Sequence, residues 1–582
     1  MKTQLTGPEK YREIFQHWLN SPSLSESEWQ ELSSVSGDDK EIESRFFAPL
    51  EFGTAGLRGI MGIGLNRMNI HVIRHATQAF ASVIVSEGKQ ACKKGVVICY
   101  DCRHNSELFA REAACVMAAN GVGVKIFDAL RPTPELSFAI RLYEATAGLN
   151  ITASHNPKEY NGYKVYWSDG AQLPPNHAKS IADAMDVIDI FNDIKRTDFD
   201  DAVKKGLIEF IGAETDEKFM TKVMSQAIDP GVVSAVADKF KVVFTPFHGT
   251  GHKLVPEALS RLGLKKLCPV AEQMIIDGAF PTVVSPNPEN PEGFALAVET
   301  AEKIGADLII GTDPDADRVG IMVRDGDKFV TVSGNQTGVL LLDYIITARK
   351  AKGSLPANAA AIKTIVTTEM ARDIAEKNGV HIADTFTGFK FMAEKIARFE
   401  SEKSHEYIMA FEESYGYMVG DYVRDKDAVT ASMLIAEMAA YHFGNGMTLL
   451  EALNALYSKY GYYKELTLNL VMPGVDGLQK MRSLMADLRE NPPKEIAGVS
   501  VLKQRDYQNG AVSVAGLGVV GETEIKGSDV LYFELADKTN FIVRPSGTEP
   551  KVKVYVLAHG ENKTVCDEKA DKYAEYAMSL KR

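Results

Sequence analysis

The sequence predicts an α/β protein, with three mixed α/β domains whose sheets are mainly parallel and a smaller C-terminal α+β domain. Three observations carry this. An amphipathic helix that closes on a glycine and is followed at once by an aliphatic strand occurs three times, at intervals of more than 100 residues. The last part of the chain, from about residue 467, has strand-like runs with no helix between them. Finally, 582 residues at 45% hydrophobic and 25% charged composition are too many for one core.

The first copy of the repeated unit ends Ala118-Ala119-Asn120-Gly121 before Val122 to Phe127. The second ends Arg261-Leu262-Gly263 before Leu264 to Val270, and the third ends Lys377-Asn378-Gly379 before Val380 to Asp384. A glycine just past a helix is a stop signal, and helix alternating with strand implies parallel pairing. In the last domain Val530 to Leu535, Asn540 to Val543 and Lys551 to Val556 follow one another, which predicts an antiparallel sheet, and Glu561 to Lys581 reads as a helix. The expected boundaries are residues 1–212, 213–335, 336–466 and 467–582.

Composition narrows the function. Lys plus Arg is 65 against 78 Asp plus Glu, a net charge of −13, which argues against nucleic acid or an anionic membrane as the main partner. No apolar run reaches the ~20 residues of a membrane helix. The charged start, Met1 to Glu13, does not read as a signal peptide, so the expected compartment is the cytoplasm. Oligomeric state is not readable. Six cysteines without regular spacing fit a reducing compartment. Cys99 and Cys102 form a C-x-x-C across the end of an apolar strand, where a thiolate is not stabilised, and read as structural.

Three segments carry chemistry. In Thr152-Ala153-Ser154-His155-Asn156-Pro157, Pro157 stops the preceding strand-like run, so Ser154 sits in a loop at a strand end, where α/β proteins place ligands. A serine before Asn-Pro equally fits an ordinary turn. In Gly311-Thr312-Asp313-Pro314-Asp315-Ala316-Asp317-Arg318, the three carboxylates are expected to project from one face of an extended segment. Their mutual repulsion calls for a dication, and the lack of nearby Cys or His favours a hard metal over zinc. An EF-hand is excluded, because the sixth loop position is Arg318 and the twelfth is Arg324. The third segment, Arg544-Pro545-Ser546-Gly547-Thr548-Glu549, offers an anion several donors, although a hairpin turn also explains it. Together the three suggest phosphoryl transfer through a phosphorylated serine.

With Phe52-Gly53-Thr54-Ala55-Gly56-Leu57-Arg58-Gly59 before them, and Phe411-Glu412-Glu413-Ser414-Tyr415-Gly416-Tyr417 between the second and third, these segments resemble the α-D-phosphohexomutase superfamily, in its phosphoglucomutase and phosphopentomutase-like branch. The resemblance implies the domains surround a central cleft and that Ser154 carries a phosphoryl group, with Asp313, Asp315, Asp317 and Ser154 holding Mg²⁺. It implies a small phosphosugar substrate and glucose 1,6-bisphosphate as intermediate and activator. By the same matching Arg544, Ser546, Gly547, Thr548 and Arg318 hold phosphate, Glu412 and Ser414 read sugar hydroxyls, and His155, Lys164, Arg58 and Lys390 are catalytic.

Each of these has a plain structural alternative: His155 as loop packing, Lys164 as a strand-edge lysine, Arg58 as a surface ion pair, Glu412 as a turn cap. Arg103 and Lys158 are read as added positive charge. Arg424 and Lys426, alternating with Asp425 and Asp427, read as solvated ion pairs without a catalytic role. Relatives of the phosphomannomutase type have Gly-His after the Glu-x-Ser; Tyr415-Gly416-Tyr417 here favours glucose 1-phosphate and glucose 6-phosphate as the substrates, with pentose or mannose phosphates as alternatives. A non-catalytic sugar-phosphate-binding protein and a metal-dependent phosphatase are the readings from other classes.

Overall fold

The computed structural model describes residues 10–472, 476–546 and 551–581. The chain divides into two compact units, one of residues 1–332 with 415–445 and the other of residues 333–414 with 446–582. Among the described residues no helix is long and apolar enough to cross a membrane.

In the first unit three short helices, Lys10–Leu19, Glu26–Ser34 and Asp39–Phe46, precede the first sheet. The second starts at a capping box, in which Ser25 accepts from the Glu28 amide while Glu28 accepts from Ser25. Their shared core centres on Trp18, 1% exposed and edge-on to Phe46 and Phe191. The six-stranded sheet runs in the order Leu57–Ile60, Tyr160–Trp167, Ala147–Ile151, Val96–Tyr100, Val124–Phe127, Ile208–Ile211. The last four are mutually parallel, while Tyr160–Trp167 is antiparallel to both its neighbours. That reversal brings the chain back beside the serine loop and sets Lys164 opposite Asn150.

The five-stranded sheet of the same unit has Leu308–Thr312 between the parallel Lys241–Thr245 and the antiparallel Val319–Asp325. The helix Ala428–Gly444 returns to this unit and packs on Pro230–Val236 and Gly251–Arg261.

In the second unit Ala359–Thr364 lies between His381–Thr385 and Glu406–Glu412, all parallel. The C-terminal sheet is antiparallel, as expected, and the helix Lys563–Ser579 packs on it. Its first strand, Tyr462–Val471, pairs residue for residue with Lys551–Gly560 and crosses position 467. The three glycines that close the repeated helix-strand units, Gly121, Gly263 and Gly379, all have positive φ, the conformation that ends a helix and that a Cβ disfavours. Cys99 and Cys102 are unpaired, and burial pushes both thiols well above their ordinary pKa, which fits a structural role.

Trp18→Ala is expected to destabilise the first unit by about 3–5 kcal/mol, the usual cost of deleting a buried indole. Urea unfolding followed by circular dichroism measures it; a loss below about 1 kcal/mol would mean the helical segment is not part of the cooperative core.

Candidate active site

The site is assembled where two strands end. Ala147–Ile151 delivers the serine loop, and Leu308–Thr312 delivers the aspartate loop. Ser154 is 3% exposed and has left-handed backbone, φ 52°, a conformation that costs a non-glycine residue energy and marks a held geometry. Its amide donates to Thr152 Oγ1 at 2.8 Å. The strongest restraint comes from Arg103, whose side chain is fully buried beside Asp101. Its guanidinium donates to the carbonyls of Ser154, Asn156, Pro157 and Tyr160 at 2.5–3.0 Å. Arg103 therefore shapes the loop from behind instead of adding charge to an open cleft, because both its terminal nitrogens are spent on backbone and its Nε faces Asp101 at 3.3 Å. Arg58 donates to Asn156 Oδ1 at 2.8 Å, so it too reaches the serine loop; Lys158 is exposed.

Ser154 Oγ donates to Asp313 Oδ2 at 2.9 Å and lies 3.2 Å from His155 Nδ1. Burial, then the charges of Arg318 and Arg58, press the His155 pKa well below its ordinary value, so the ring is neutral at pH 7.

The aspartate loop is not extended. An extended run would spread residues i to i+4 over about 13 Å, too far for one ion. Instead the strand stops at Thr312 and the chain turns, with Ala316 at φ 50°. Asp313 Oδ1 accepts from the amides of Asp317 and Arg318 at 3.1 and 3.0 Å. One oxygen each of Asp313, Asp315 and Asp317 then lies within 4.8 Å of the others. The turn is supported from below by Gly249, where an added Cβ would come within 2.4 Å of Pro314 Cα.

All three carboxylates are essentially inaccessible to solvent. Lys164 Nζ reaches Asp315 at 2.7 Å and Asp317 at 3.4 Å, and Lys426 Nζ reaches Asp317 at 3.1 Å. Thr133 Oγ1 donates to Asp315 Oδ2 at 2.8 Å and itself accepts from Asn150. Burial alone would raise the Asp315 pKa, but Lys164 outweighs it and the pKa is lowered; burial beside Asp315 and Asp317 pushes Asp313 well above the usual carboxylate range. Two buried oxygens, Asp315 Oδ1 and Asp317 Oδ1, have no hydrogen-bond partner. Three carboxylates against two ammonium groups, with orphaned oxygens and no Cys or His in the cluster, fit a hard divalent cation. Arg318 turns to Glu289 at 3.1 Å and keeps Nε 4.0 Å from Asp317.

The alternating run Arg424 to Asp427 is not solvated. Arg424, Asp425, Lys426 and Asp427 are between 0% and 8% exposed, which overturns the expectation of surface ion pairs. Asp425 accepts from Tyr166 and Gln172, orienting its neighbour Lys426, and Asp427 caps the helix Ala428–Gly444.

A separate constellation lies in the second unit. Glu412 Oε1 accepts from the Gly388 amide, so the Thr387-Gly388-Phe389-Lys390 turn and the Glu412-Glu413-Ser414 segment meet. Ser414 Oγ donates to Glu412 Oε2 at 3.3 Å. Glu413 points elsewhere and accepts from Thr367 Oγ1 at 3.1 Å. Lys390 is half-buried with its ammonium 4.7 Å from the Phe391 ring, and burial lowers its pKa. Arg544, opposite Lys553, closes the strand Asn540–Pro545, and the Ser546 amide donates to Lys551 O at 2.8 Å. Gly547 and Thr548 lie outside the described residues.

Sequence profiles of phosphoglucomutase/phosphomannomutase match in chain order: alpha/beta/alpha domain I over residues 49–190, domain II over 217–326, domain III over 333–460, and the C-terminal domain over 482–572. The chain belongs to the phosphoglucomutase/phosphomannomutase family. It is 36% identical over 525 residues to a phosphoglucomutase of Staphylococcus saprophyticus, covering 90% of this chain and 93% of that one. It is 38% identical over 519 residues to a phosphoglucomutase of Staphylococcus aureus strain MSSA476, covering 89% and 91%. Among solved structures, parafusin (phosphoglucomutase) from Paramecium in its open form shares the fold at a TM-score of 0.66 and 17% identity, over 92% of this chain and 96% of that chain. A phosphoglucomutase/phosphomannomutase family protein from Burkholderia thailandensis does so at 0.62 and 17%, over 91% and 97%.

For this family member, the residues that sequence reading missed are Thr133, Asn150 and Lys426. Thr133 and Asn150 carry no signal in sequence, since both are ordinary polar residues until folding sets them beside Asp315. The one clue to Lys426 is that its charge run directly precedes a helix with no polar face, Ala428–Gly444.

Glu413 yields a pH test. Burial, then the neighbouring charge of Glu412, raises its pKa from 4.5 to about 7. Between those values the folded chain keeps a proton that the unfolded chain has lost, so stability falls as pH rises through the interval. Glu413→Gln, which mimics the protonated form, is expected to flatten that slope and to stabilise the protein by about 1–3 kcal/mol at pH 8. Denaturant titrations at pH 5 to 8 check it; an unchanged slope would refute the shift.

Proposed function

We propose that this protein is a phosphoglucomutase, interconverting α-D-glucose 1-phosphate and glucose 6-phosphate through phosphorylated Ser154 and a bound glucose 1,6-bisphosphate. The observation that carries the reading is the Ser154 hydroxyl, buried and 2.9 Å from Asp313 within a triad short of positive charge. The relatives named phosphoglucomutase at 36–38% identity support the sugar. The division into domains at 1–212, 213–335, 336–466 and 467–582 belongs to the same proposal.

In the forward half-reaction a hydroxyl oxygen of the sugar phosphate attacks the phosphorus on Ser154, the bond from phosphorus to Oγ breaks as the new ester forms, and the proton of the attacking hydroxyl passes to the departing Oγ. In the return half-reaction Ser154 Oγ attacks the other phosphoryl group of the bisphosphate, neutral His155, 3.2 Å away, takes the hydroxyl proton, and the bond from that phosphorus to the sugar oxygen breaks, the freed oxygen taking up the proton as a hydroxyl. Lys164 and Lys426 hold Asp315 and Asp317 in place, and Arg58 fixes the loop through Asn156. Mg²⁺ held by Asp313, Asp315, Asp317 and the Ser154 phosphate would supply the positive charge that offsets charge on the transferring group. Arg544, Ser546, Gly547, Thr548 and Arg318 are assigned to the phosphate that is not reacting, Glu412 and Ser414 to the sugar hydroxyls, and Lys390 to the turn beside them.

Ser154→Ala is expected to fold normally, to lack the single phosphate that intact mass is expected to show on the wild type, and to lose mutase activity by about 10³-fold or more. A coupled assay on glucose 1-phosphate, ribose 1-phosphate and mannose 1-phosphate tests the sugar, with the highest kcat/KM expected on the first. Release of free phosphate in place of an isomerised product would identify a phosphatase instead.

Arg544→Ala removes a charge-assisted contact and is expected to weaken sugar-phosphate binding by ~2–4 kcal/mol. The variant should keep a phosphorylatable Ser154, release free bisphosphate, and need more added glucose 1,6-bisphosphate than the wild type. Loss of Ser154 phosphorylation with unchanged KM would place Arg544 in the chemical step.

A further inference from the structure

A cleft of about 600 Å³ opens in the second unit between the parallel sheet and the C-terminal sheet, and the reaction above makes no use of it. One wall is the turn at Ile365, the helix Met370–Lys377 and the strand His381–Thr385; the other is Val499–Asp506, Leu531–Leu535 and the hairpin at Lys538. Its carboxylates are already engaged. Glu369 accepts from Lys363 and Arg372 at 2.8 Å each, Asp384 accepts from Arg372 at 2.5 Å, and Glu534 pairs with Arg505.

The groups left to address a ligand are donors. Tyr507 and Tyr532 line the cleft, are 5% and 4% exposed, and have hydroxyls without a hydrogen-bond partner among the described residues. Both hydroxyls reach the solvent of the cleft, so two donors stand on one wall where a ligand oxygen would replace water. Burial pushes both phenols above their ordinary pKa, which keeps them protonated. The Lys538 ammonium has no ion pair among the described residues, and the Arg505 guanidinium lies 4.9 Å over the Tyr532 ring.

We propose that this cleft is a second small-molecule site, for an acidic metabolite whose carboxylate or phosphate oxygens accept from Tyr507, Tyr532 and Lys538. The elements that line it also carry the constellation of the second unit. Ile365 is two residues from Thr367, which holds Glu413. Asp384 is four residues from Gly388, which holds Glu412. Asn540 opens the strand that ends at Arg544 and Pro545. A ligand that ties the two walls together restrains these loops, so, on the mutase reading above, occupancy changes KM for the sugar phosphate more than kcat.

The test is calorimetric titration of citrate and of inorganic phosphate into the full chain, as wild type, Tyr507→Phe/Tyr532→Phe, Lys538→Ala and Arg544→Ala. The double phenylalanine variant keeps both rings and basal activity, and is expected to bind the better probe about tenfold more weakly. Lys538→Ala, on the exposed hairpin, should weaken it about threefold, while Arg544→Ala retains the site. Tighter citrate than phosphate assigns a carboxylate ligand, and the reverse assigns a phosphate ester. Equal affinity in the wild type and the double variant, loss of binding in Arg544→Ala alone, or no binding of either probe at about 10 mM would overturn the proposal. Failure of the mutase reading would show as absent isomerisation, with the titrations unaffected.

Discussion

Three aspartates share one buried turn, and the rest of the first unit is organised around keeping them there. Charges so placed repel one another strongly where solvent does not screen them, and removing a single partner from a buried ion cluster commonly costs several kcal/mol. Relief comes from three directions. Lys164 arrives on the strand of the six-stranded sheet that runs antiparallel to both its neighbours, Lys426 from just ahead of a helix that returns to this unit after an excursion, and Thr133 from a helix start. Even so the cluster stays short of positive charge, and this residual deficit is what makes the serine hydroxyl's position chemically meaningful. A nucleophile beside a neutralised cluster would be only a buried serine.

The same dependence explains what could and could not be read from the sequence. Ser154 and the aspartates were legible because their spacing is local: a strand end, a proline stop, three carboxylates within five residues. The α/β order was legible from helix-stop glycines that take positive φ in the structure. The shape of the aspartate loop was misread, since alternation suggested an extended segment, whereas convergence on one ion needs a turn. Arg103, Thr133 and Lys426 were misread or missed for another reason. Their residue types are common, and what they do is set by neighbours distant in sequence: Arg103 bonds carbonyls more than 50 residues away, and Thr133 an aspartate 182 residues away. A run of alternating charges reads as solvated unless the packing of the following helix is known.

The second unit shows how adjacent, chemically identical residues are given different tasks. Glu412 is held by a backbone amide and a serine hydroxyl, Glu413 by threonine hydroxyls behind it. Burial and the neighbouring charge of Glu412 raise the pKa of Glu413 to about 7, so Glu413 ionises less readily than an ordinary carboxyl, and it is Glu412 that faces Gly388 and Ser414. That arrangement allows a carboxylate to accept hydrogen bonds from sugar hydroxyls without a second negative charge alongside to repel an incoming phosphate.

The way the chain threads its two units has a consequence for biosynthesis. The first unit is completed only when residues 415–445 join residues 1–332, after the whole segment 333–414 has been made. A nascent chain that has emerged only to Val332 holds the three aspartates and Lys164 but lacks Lys426, Asp425 and the helix that packs against Pro230–Val236 and Gly251–Arg261. Domains of long proteins generally fold in the order in which they are translated. Here the carboxylate cluster must wait, under-neutralised, while about 100 further residues leave the ribosome, and the last of its cations arrives just ahead of the helix that closes the unit.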